Sequence, residues 1–122
     1  MGRVDNTWAA KAASDLSGKR GFVVKLVSAD TVDVVSSQKD FPFGILLNNP
    51  TAGQVAELAL EGVIEAVADG SGTPISLFAR VGFDNTGRQI VKAANDPTMC
   101  GHALDTCAIF GGTVRLLIRW GR

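Results

Sequence analysis

From Phe22 onward, apolar residues recur at every second position in short runs, and this alternation restricts the fold more than any other feature. The segment FVVKLVS places Phe22, Val24 and Leu26 on one face of an extended chain. The closing segment TVRLLIRW alternates in the same way. A period of two is typical of β-strands, whereas an amphipathic helix repeats about every 3.6 residues. The chain is therefore predicted to be built from strands.

Turn signals separate these runs at intervals of roughly ten residues. SADT separates two runs that predict a hairpin, and DNTG predicts a second hairpin in which Gly87 takes a positive φ. A further turn is predicted at Gly111 and Gly112, before the closing strand. The pattern predicts an all-β fold, a small β-barrel or sandwich of short antiparallel strands.

The segment from residue 52 to 68 admits two interpretations. Its Ala, Glu and Leu content favours a helix. Gly62 interrupts it, however, and the β-branched Val63, Ile64 and Val67 follow. We favour strand structure, either as two strands or as one strand bent at a glycine bulge. Glu57, Glu61 and Glu65 then face solvent instead of forming a catalytic carboxylate pair.

Residues 1–21 differ in composition from the rest of the chain, with Trp8 as their only aromatic residue. We predict an extended N-terminal arm over residues 1–21 and a single β-barrel-like domain over residues 22–122. The alternative is a short helix over residues 6–16, with Trp8, Ala12 and Leu16 on one face.

Charge and cysteine content limit the classes of partner and compartment. Twelve basic residues balance twelve acidic ones, so nucleic acid and membrane are not expected as partners. No apolar run approaches the ~20 residues of a membrane span, and a soluble protein is expected. The first residues lack the apolar core of a signal peptide, so folding in a reducing cytoplasm is expected.

The segment CGHALDTC places four possible zinc ligands, Cys100, His102, Asp105 and Cys107, within a short stretch. It lacks the paired short spacings of a structural zinc site. On an extended strand Cys100 and His102 would point the same way, about 6.5 Å apart, too far for direct proton transfer. We predict no metal, no cofactor and no catalytic residue; whether the two cysteines form a disulfide stays open.

Several short motifs follow one another in a distinctive order. FG is followed by P-x-x-G, a central glycine at Gly62, D-x-x-G-R, G-x-A-L and finally G-G-T-V-R. This order resembles the cement, or decoration, proteins that bind the outside of tailed-phage capsids. The motifs occupy residues 43–44, 50–53, 62, 84–88, 101–104 and 111–115.

The resemblance implies an all-β structural protein without enzymatic activity. Its implied partners are the major capsid protein and other copies of itself, with a homotrimer favoured over a homodimer. The implied location is the outer capsid surface of the virion, after synthesis in the host cytoplasm. There the protein would cement the shell by bridging neighbouring capsid proteins.

A capsid-binding site is hypothesised in the N-terminal arm. The arm is expected to become ordered on the capsid, with Trp8 as a buried anchor and basic side chains meeting acidic capsid groups. Two alternatives remain, a small ligand- or nucleic-acid-binding barrel and, less favoured, a Cys/His metal-dependent enzyme. The basic residues of the hypothesised site are Arg3, Lys11, Lys19 and Arg20.

Overall fold

The computed structural model describes residues 4–93 and 96–120, and these residues form strands and turns without a helix. The predicted all-β class is confirmed. No helix capable of crossing a membrane occurs in the described residues. The strands are β1 Val4–Ala12, β2 Val23–Ser28, β3 Thr31–Val34, β4 Pro42–Leu46, β5 Val55–Asp69, β6 Arg80–Phe83, β7 Gln89–Val91, β8 Met99–Ala103 and β9 Phe110–Ile118.

The first five strands form a closed barrel in the order β1-β3-β2-β4-β5, with β5 pairing back onto β1. β1 runs antiparallel to β5, with Trp8 opposite Leu58 and Lys11 opposite Val55. A short parallel contact between β1 and β3 closes the barrel. The other barrel pairs are antiparallel, as predicted. Closure leaves these strands without a long unpaired edge.

The remaining four strands form a second ring together with β5. The order of this ring is β5-β7-β6-β8-β9, and β9 pairs back onto β5. β9 runs antiparallel to the second half of β5, from Leu117 opposite Val63 to Phe110 opposite Asp69. β7 meets β5 at one parallel pair, Gln89 opposite Ala68. The long strand β5 therefore belongs to both the barrel and the second ring.

Two separate cores result from this arrangement. Val24, Leu46 and Leu58 lie inside the barrel, whereas their chain neighbours Val23, Ile45 and Ala59 lie in the core of the second ring. Both faces of β2, β4 and β5 are therefore buried where the strands lie between the cores, which explains their continuous apolar runs. The complete barrel core is Ala10, Ala12, Leu16, Val24, Val32, Leu46, Ala56 and Leu58.

β5 is one strand of 15 residues. Gly62 has a φ of +100°, and the pairing of β5 with β1 shifts register beside it. This confirms the single strand bent at a glycine bulge and excludes the competing helix. Glu57, Glu61 and Glu65 are exposed, as predicted.

The N-terminal segment is extended, and the alternative helix over residues 6–16 is wrong. Trp8, Ala10 and Ala12 follow strand alternation, and the two alanines are buried in the barrel core. The Leu16 amide donates a 2.9 Å hydrogen bond to the Pro50 carbonyl, which holds Leu16 in the same core. Long-range pairing with β5 thus overrides the local preference of alanine for helix. The division into an arm and a domain at residue 21 stays a prediction.

The two predicted turns near the C-terminus have different outcomes. The DNTG hairpin is confirmed, with Gly87 at a φ of +90° and the Asp84 carboxylate accepting the Thr86 amide at 2.8 Å. The turn at Gly111 and Gly112 is wrong, because both glycines lie inside β9. Gly112 pairs with Ala68 of β5, and the chain reverses earlier, between β8 and β9.

Candidate functional site

Trp8 lies on β1 and is 52% exposed. Its side chain lies on the same face of β1 as those of the buried Ala10 and Ala12, nearer the start of the strand. Its ring packs edge-to-face against Phe43, with centroids 6.2 Å apart and planes at 88°. Trp8 therefore presents a large apolar surface whose orientation is fixed by an aromatic neighbour.

Two open depressions border β1. The first, of about 470 Å³, is lined by Thr7, Trp8 and Ala9 with Leu47 and Glu57. The second, of about 210 Å³, shares Ala9 and includes Lys11, Asp30 and Val55. Thr7 and Ala9 contribute small side chains to this surface. We call the residues that line the two depressions the β1 surface.

Lys11 belongs to the β1 surface together with Trp8. Its side chain is exposed, and its amide donates a 2.7 Å hydrogen bond to the Asp30 carbonyl. Val55, opposite Lys11 on β5, is 57% exposed. The β1 surface therefore combines the cation of Lys11, the carboxylates of Asp30 and Glu57, the indole of Trp8 and exposed aliphatic groups. Arg3 lies outside the described residues.

Lys19 and Arg20 lie in the turn between β1 and β2. The Lys19 ammonium is 4.8 Å from the centroid of the Phe22 ring, a cation–π distance. The Arg20 amide donates to the Asn49 side-chain oxygen at 3.1 Å, which fixes the turn. The structure therefore places Trp8 and Lys11 on opposite faces of one strand, and Lys19 and Arg20 in a separate turn.

A basic and aromatic stack beside this turn was missed by sequence reasoning. The Arg88 guanidinium lies 4.9 Å from the Phe22 ring and 4.4 Å from the Phe110 ring. Phe22 is buried, whereas Phe110 is 61% exposed. These residues are far apart in sequence, so no local pattern could have predicted their contact. The stack holds an exposed phenylalanine in place over a cation.

Four large apolar residues are exposed on a ribbon formed by residues 70–79 and 103–110. Amide-to-carbonyl hydrogen bonds join its two segments at both ends. The Gly70 amide donates to the Ile109 carbonyl at 2.9 Å, and the Phe78 amide donates to the Ala103 carbonyl at 2.7 Å. Ile75 and Cys107 form a β-bridge between these ends. We call this element the aromatic ribbon; its exposed apolar residues are Leu77, Phe78, Ile109 and Phe110.

Phe78 is the one non-glycine residue with a positive φ in the described part of the chain, at 65°. This left-handed conformation costs an L-residue about 1 kcal/mol or more. The hydrogen bond from the Phe78 amide to the Ala103 carbonyl maintains it. Because the Phe78 side chain is 67% exposed, this cost is not offset by burial in either core.

The four possible zinc ligands are not brought together. Cys100 is fully buried and Cys107 is buried as a second free thiol, whereas His102 is half-buried. Asp105 instead forms a 3.0 Å ion pair with Arg115, whose side-chain hydrogen bonds hold the pKa of the Asp105 carboxyl below its usual value. Within residues 4–93 and 96–120, no three His, Cys, Asp or Glu side chains form a group that could hold a metal ion.

Cys100 also lacks the surroundings of a catalytic nucleophile. Burial raises the pKa of its thiol to about 12, opposed in part by the neighbouring Gln89 side chain. The register of β8 against β6 shifts at Cys100, so the prediction that Cys100 and His102 point the same way is wrong. Cys100 enters the ring core while His102 stays half-exposed.

Comparisons with known proteins agree with this architecture. The sequence model of the phage cement protein family matches residues 5–118. Among solved structures, the crystal structure of the head fiber gp8.5 N base in bacteriophage phi29 is similar, with a TM-score of 0.71 and 15% sequence identity. That similarity covers 98% of this chain and 95% of the phage protein's chain, and at this identity it shows a shared fold. No curated protein sequence matches this chain.

Proposed function

The chain belongs to the phage cement protein family, and from this premise we propose that it binds the outer surface of a capsid and bridges neighbouring major capsid proteins. It is a phage structural protein and a component of the virion. The observation that carries the proposal is the family match over residues 5–118, which includes both the barrel and the second ring. We further propose that it acts as a homo-oligomer, with three copies favoured over two.

The fold supports a mechanical role. A closed barrel and a second ring that share β5 form a body with two cores and little free strand edge. Such a body transmits force between its contacts without rearrangement. Many copies on a symmetric shell then stabilise it together, even when each copy buries a modest area.

The β1 surface is the proposed capsid contact. Trp8 would insert into an apolar pocket of the capsid protein, since tryptophan is frequent among the residues that dominate binding energy. Lys11, on the opposite face of β1, would pair with a separate acidic group of the capsid. Because β1 is part of the barrel, the contact is pre-organised, and binding costs less conformational entropy than folding of a disordered arm.

Lys19 and Arg20 would provide a second contact. They lie in the turn after β1, apart from the strand that carries Trp8 and Lys11. Two basic contacts in different places suit a protein that touches two neighbouring capsid subunits. Arg3 would add to the charged contacts as hypothesised. In this proposal the chain has no catalytic activity and binds neither nucleic acid nor membrane.

Purified protein mixed with undecorated capsids tests the proposal. Occupancy is measured by co-sedimentation, and shell stability by the temperature at which the capsids open. Wild-type protein is expected to bind and to raise that temperature. Trp8→Ala and Lys11→Glu should each weaken binding about tenfold or more. Wild-type occupancy in both variants would refute the β1 surface as the contact.

The controls preserve the barrel. Lys39→Glu reverses a charge in the loop between β3 and β4, which lines neither depression of the β1 surface, and should leave occupancy unchanged. Melting temperatures of all variants show that each one folds. Deletion of residues 2–18 would be the natural test of a free arm, but this deletion removes β1 and opens the barrel. Point substitutions are therefore used instead.

A further inference from the structure

We propose that the aromatic ribbon is the surface through which one copy of this chain contacts a second copy. The inference rests on the proposed function, in which the chain acts as a homo-oligomer, and names the contact surface of that oligomer. The ribbon exposes Leu77 by 54%, Phe78 by 67%, Ile109 by 65% and Phe110 by 61%. These side chains belong to one hydrogen-bonded pair of segments in the second ring.

The apolar area of the ribbon suits the centre of an interface between copies. A phenylalanine carries about 150–250 Å², so at these exposures the two phenylalanines and the two smaller aliphatic residues together expose on the order of 500 Å², divided between the two ends of the ribbon. This summed area is comparable with the largest apolar patch of a typical monomer, about 300–600 Å². A stable interface buries about 800 Å² on each partner, and the surrounding residues would supply the remainder.

Both phenylalanines are held ready for contact. Phe78 keeps a left-handed backbone although the residue is two thirds exposed, so burial in the isolated chain offsets little of this cost. Phe110 stacks on Arg88, which in turn stacks on the buried Phe22. Fixed aromatic side chains lose little entropy on binding and are enriched among the residues that dominate interface energies.

The composition of the ribbon favours a second copy over the capsid protein as its occupant. Interfaces between identical copies are more apolar than interfaces between proteins that also exist apart. An apolar patch of this size promotes aggregation unless it is covered soon after folding. A second copy is present from synthesis onward, whereas the capsid lattice appears only on assembly. The zero net charge of the chain imposes no long-range repulsion between copies.

The experiment measures the mass of the full chain by light scattering over a wide range of concentration. Phe78→Gly is the decisive variant, because glycine suits the backbone at that position and the change relieves strain. Phe110→Ala is the second variant. The matched control is Val27→Ala, which trims a 52% exposed residue at the end of β2. Circular dichroism melting curves verify that each variant folds. If Phe110→Ala does not fold, the result for Phe78→Gly alone decides the test.

Wild-type protein should be oligomeric, and each ribbon variant should dissociate at concentrations at least tenfold higher than wild type does. Val27→Ala should behave as wild type. A monomeric wild type, or a folded Phe78→Gly variant with unchanged dissociation, overturns the inference. So does a ribbon variant that keeps its oligomeric mass but no longer binds capsids. A wild-type oligomer that dissociates through the ribbon but ignores capsids supports this inference and contradicts the proposed function instead.

Discussion

Leu58 and Ala59 are consecutive residues of β5 and both are fully buried, yet Leu58 lies in the barrel core and Ala59 in the ring core. Leu58 pairs with Leu46 across the sheet, and Ala59 pairs with Ile45. The same backbone therefore fixes the geometry of both cores. A change in one core should be felt in the other, because packed interiors transmit strain.

The first prediction concerns this coupling. Leu58→Ala should lower the free energy of unfolding by about 2–5 kcal/mol, the usual cost of a cavity in a packed core. Trp8 packs at the barrel and Trp120 packs against the ring core, so variants that retain only one tryptophan report on each half separately. Denaturant unfolding should show coincident midpoints for the two probes, both shifted by Leu58→Ala.

Val55→Ala serves as its control, since Val55 is on the same strand but 57% exposed. It should change the free energy of unfolding by less than about 0.5 kcal/mol. Two separate transitions, with only the Trp8 signal shifted by Leu58→Ala, would show that the cores unfold independently.

The second prediction concerns the contact between β8 and β9. A Cβ atom at Gly101 would collide with the Leu117 carbonyl oxygen, which belongs to the backbone and cannot move aside cheaply. Gly101→Ala should destabilise the fold by about 1–3 kcal/mol or prevent folding. Gly72→Ala is the matched control, because nothing lies within 4 Å of its added methyl group. Equal melting temperatures for the two variants would contradict this close approach of β8 to the β9 backbone.

The third prediction concerns pH. The Ser36 amide donates to the Asp40 carboxylate at 2.8 Å, and this bond, with further ones from Lys25 and Ser37, lowers the pKa of Asp40. A depressed pKa contributes stability above the unfolded value of about 3.9, and that stability is lost as pH falls through the folded value. Asp40→Asn should therefore melt several degrees below wild type at neutral pH.

That difference in melting temperature should shrink as the pH falls below about 4, where wild-type Asp40 also becomes neutral. Glu65→Gln, on the exposed face of β5, is a suitable control. A gap between wild type and Asp40→Asn that stays constant from neutral to acidic pH would contradict the assignment.

The fourth prediction concerns Cys100. With a thiol pKa of about 12, about one molecule in ten thousand carries the thiolate at pH 8, and the side chain is fully buried. In a Cys107→Ser variant, where Cys100 is the remaining thiol, iodoacetamide should leave the native protein unmodified and label it only after denaturation. Mass spectrometry follows the reaction. Rapid labelling of the native variant would revive a catalytic role for Cys100.

Local sequence signals predicted the strands and the DNTG hairpin because alternation and turn chemistry act over a few residues. The bend of β5 at Gly62 was predictable for the same reason. The pairing of β1 with β5 was not predictable, since its alanines suit helix as well as strand and its partner is distant in sequence. The pair Gly111 and Gly112 was misassigned because glycine also marks a β-bulge: Gly111 has a φ of +78° where the pairing of β9 with β5 shifts register.

The candidate site shows the same limit. Trp8 stood out in the sequence as the only aromatic residue in its segment, and the structure finds it half-exposed. Phe78 and Phe110 did not stand out, since phenylalanine is usual in a β-sheet protein. Their exposure depends on the ribbon, which forms only when residues 70–79 meet residues 103–110.

The central claim is that this chain cements a capsid by bridging neighbouring capsid proteins from outside. A cryo-electron microscopy map of capsids decorated with the purified protein tests it most directly. The account predicts density on the outer surface, with each oligomer contacting at least two capsid subunits and Trp8 of β1 buried in the contact. Density confined to one subunit, density on the inner surface, or capsids left bare by saturating protein would contradict it.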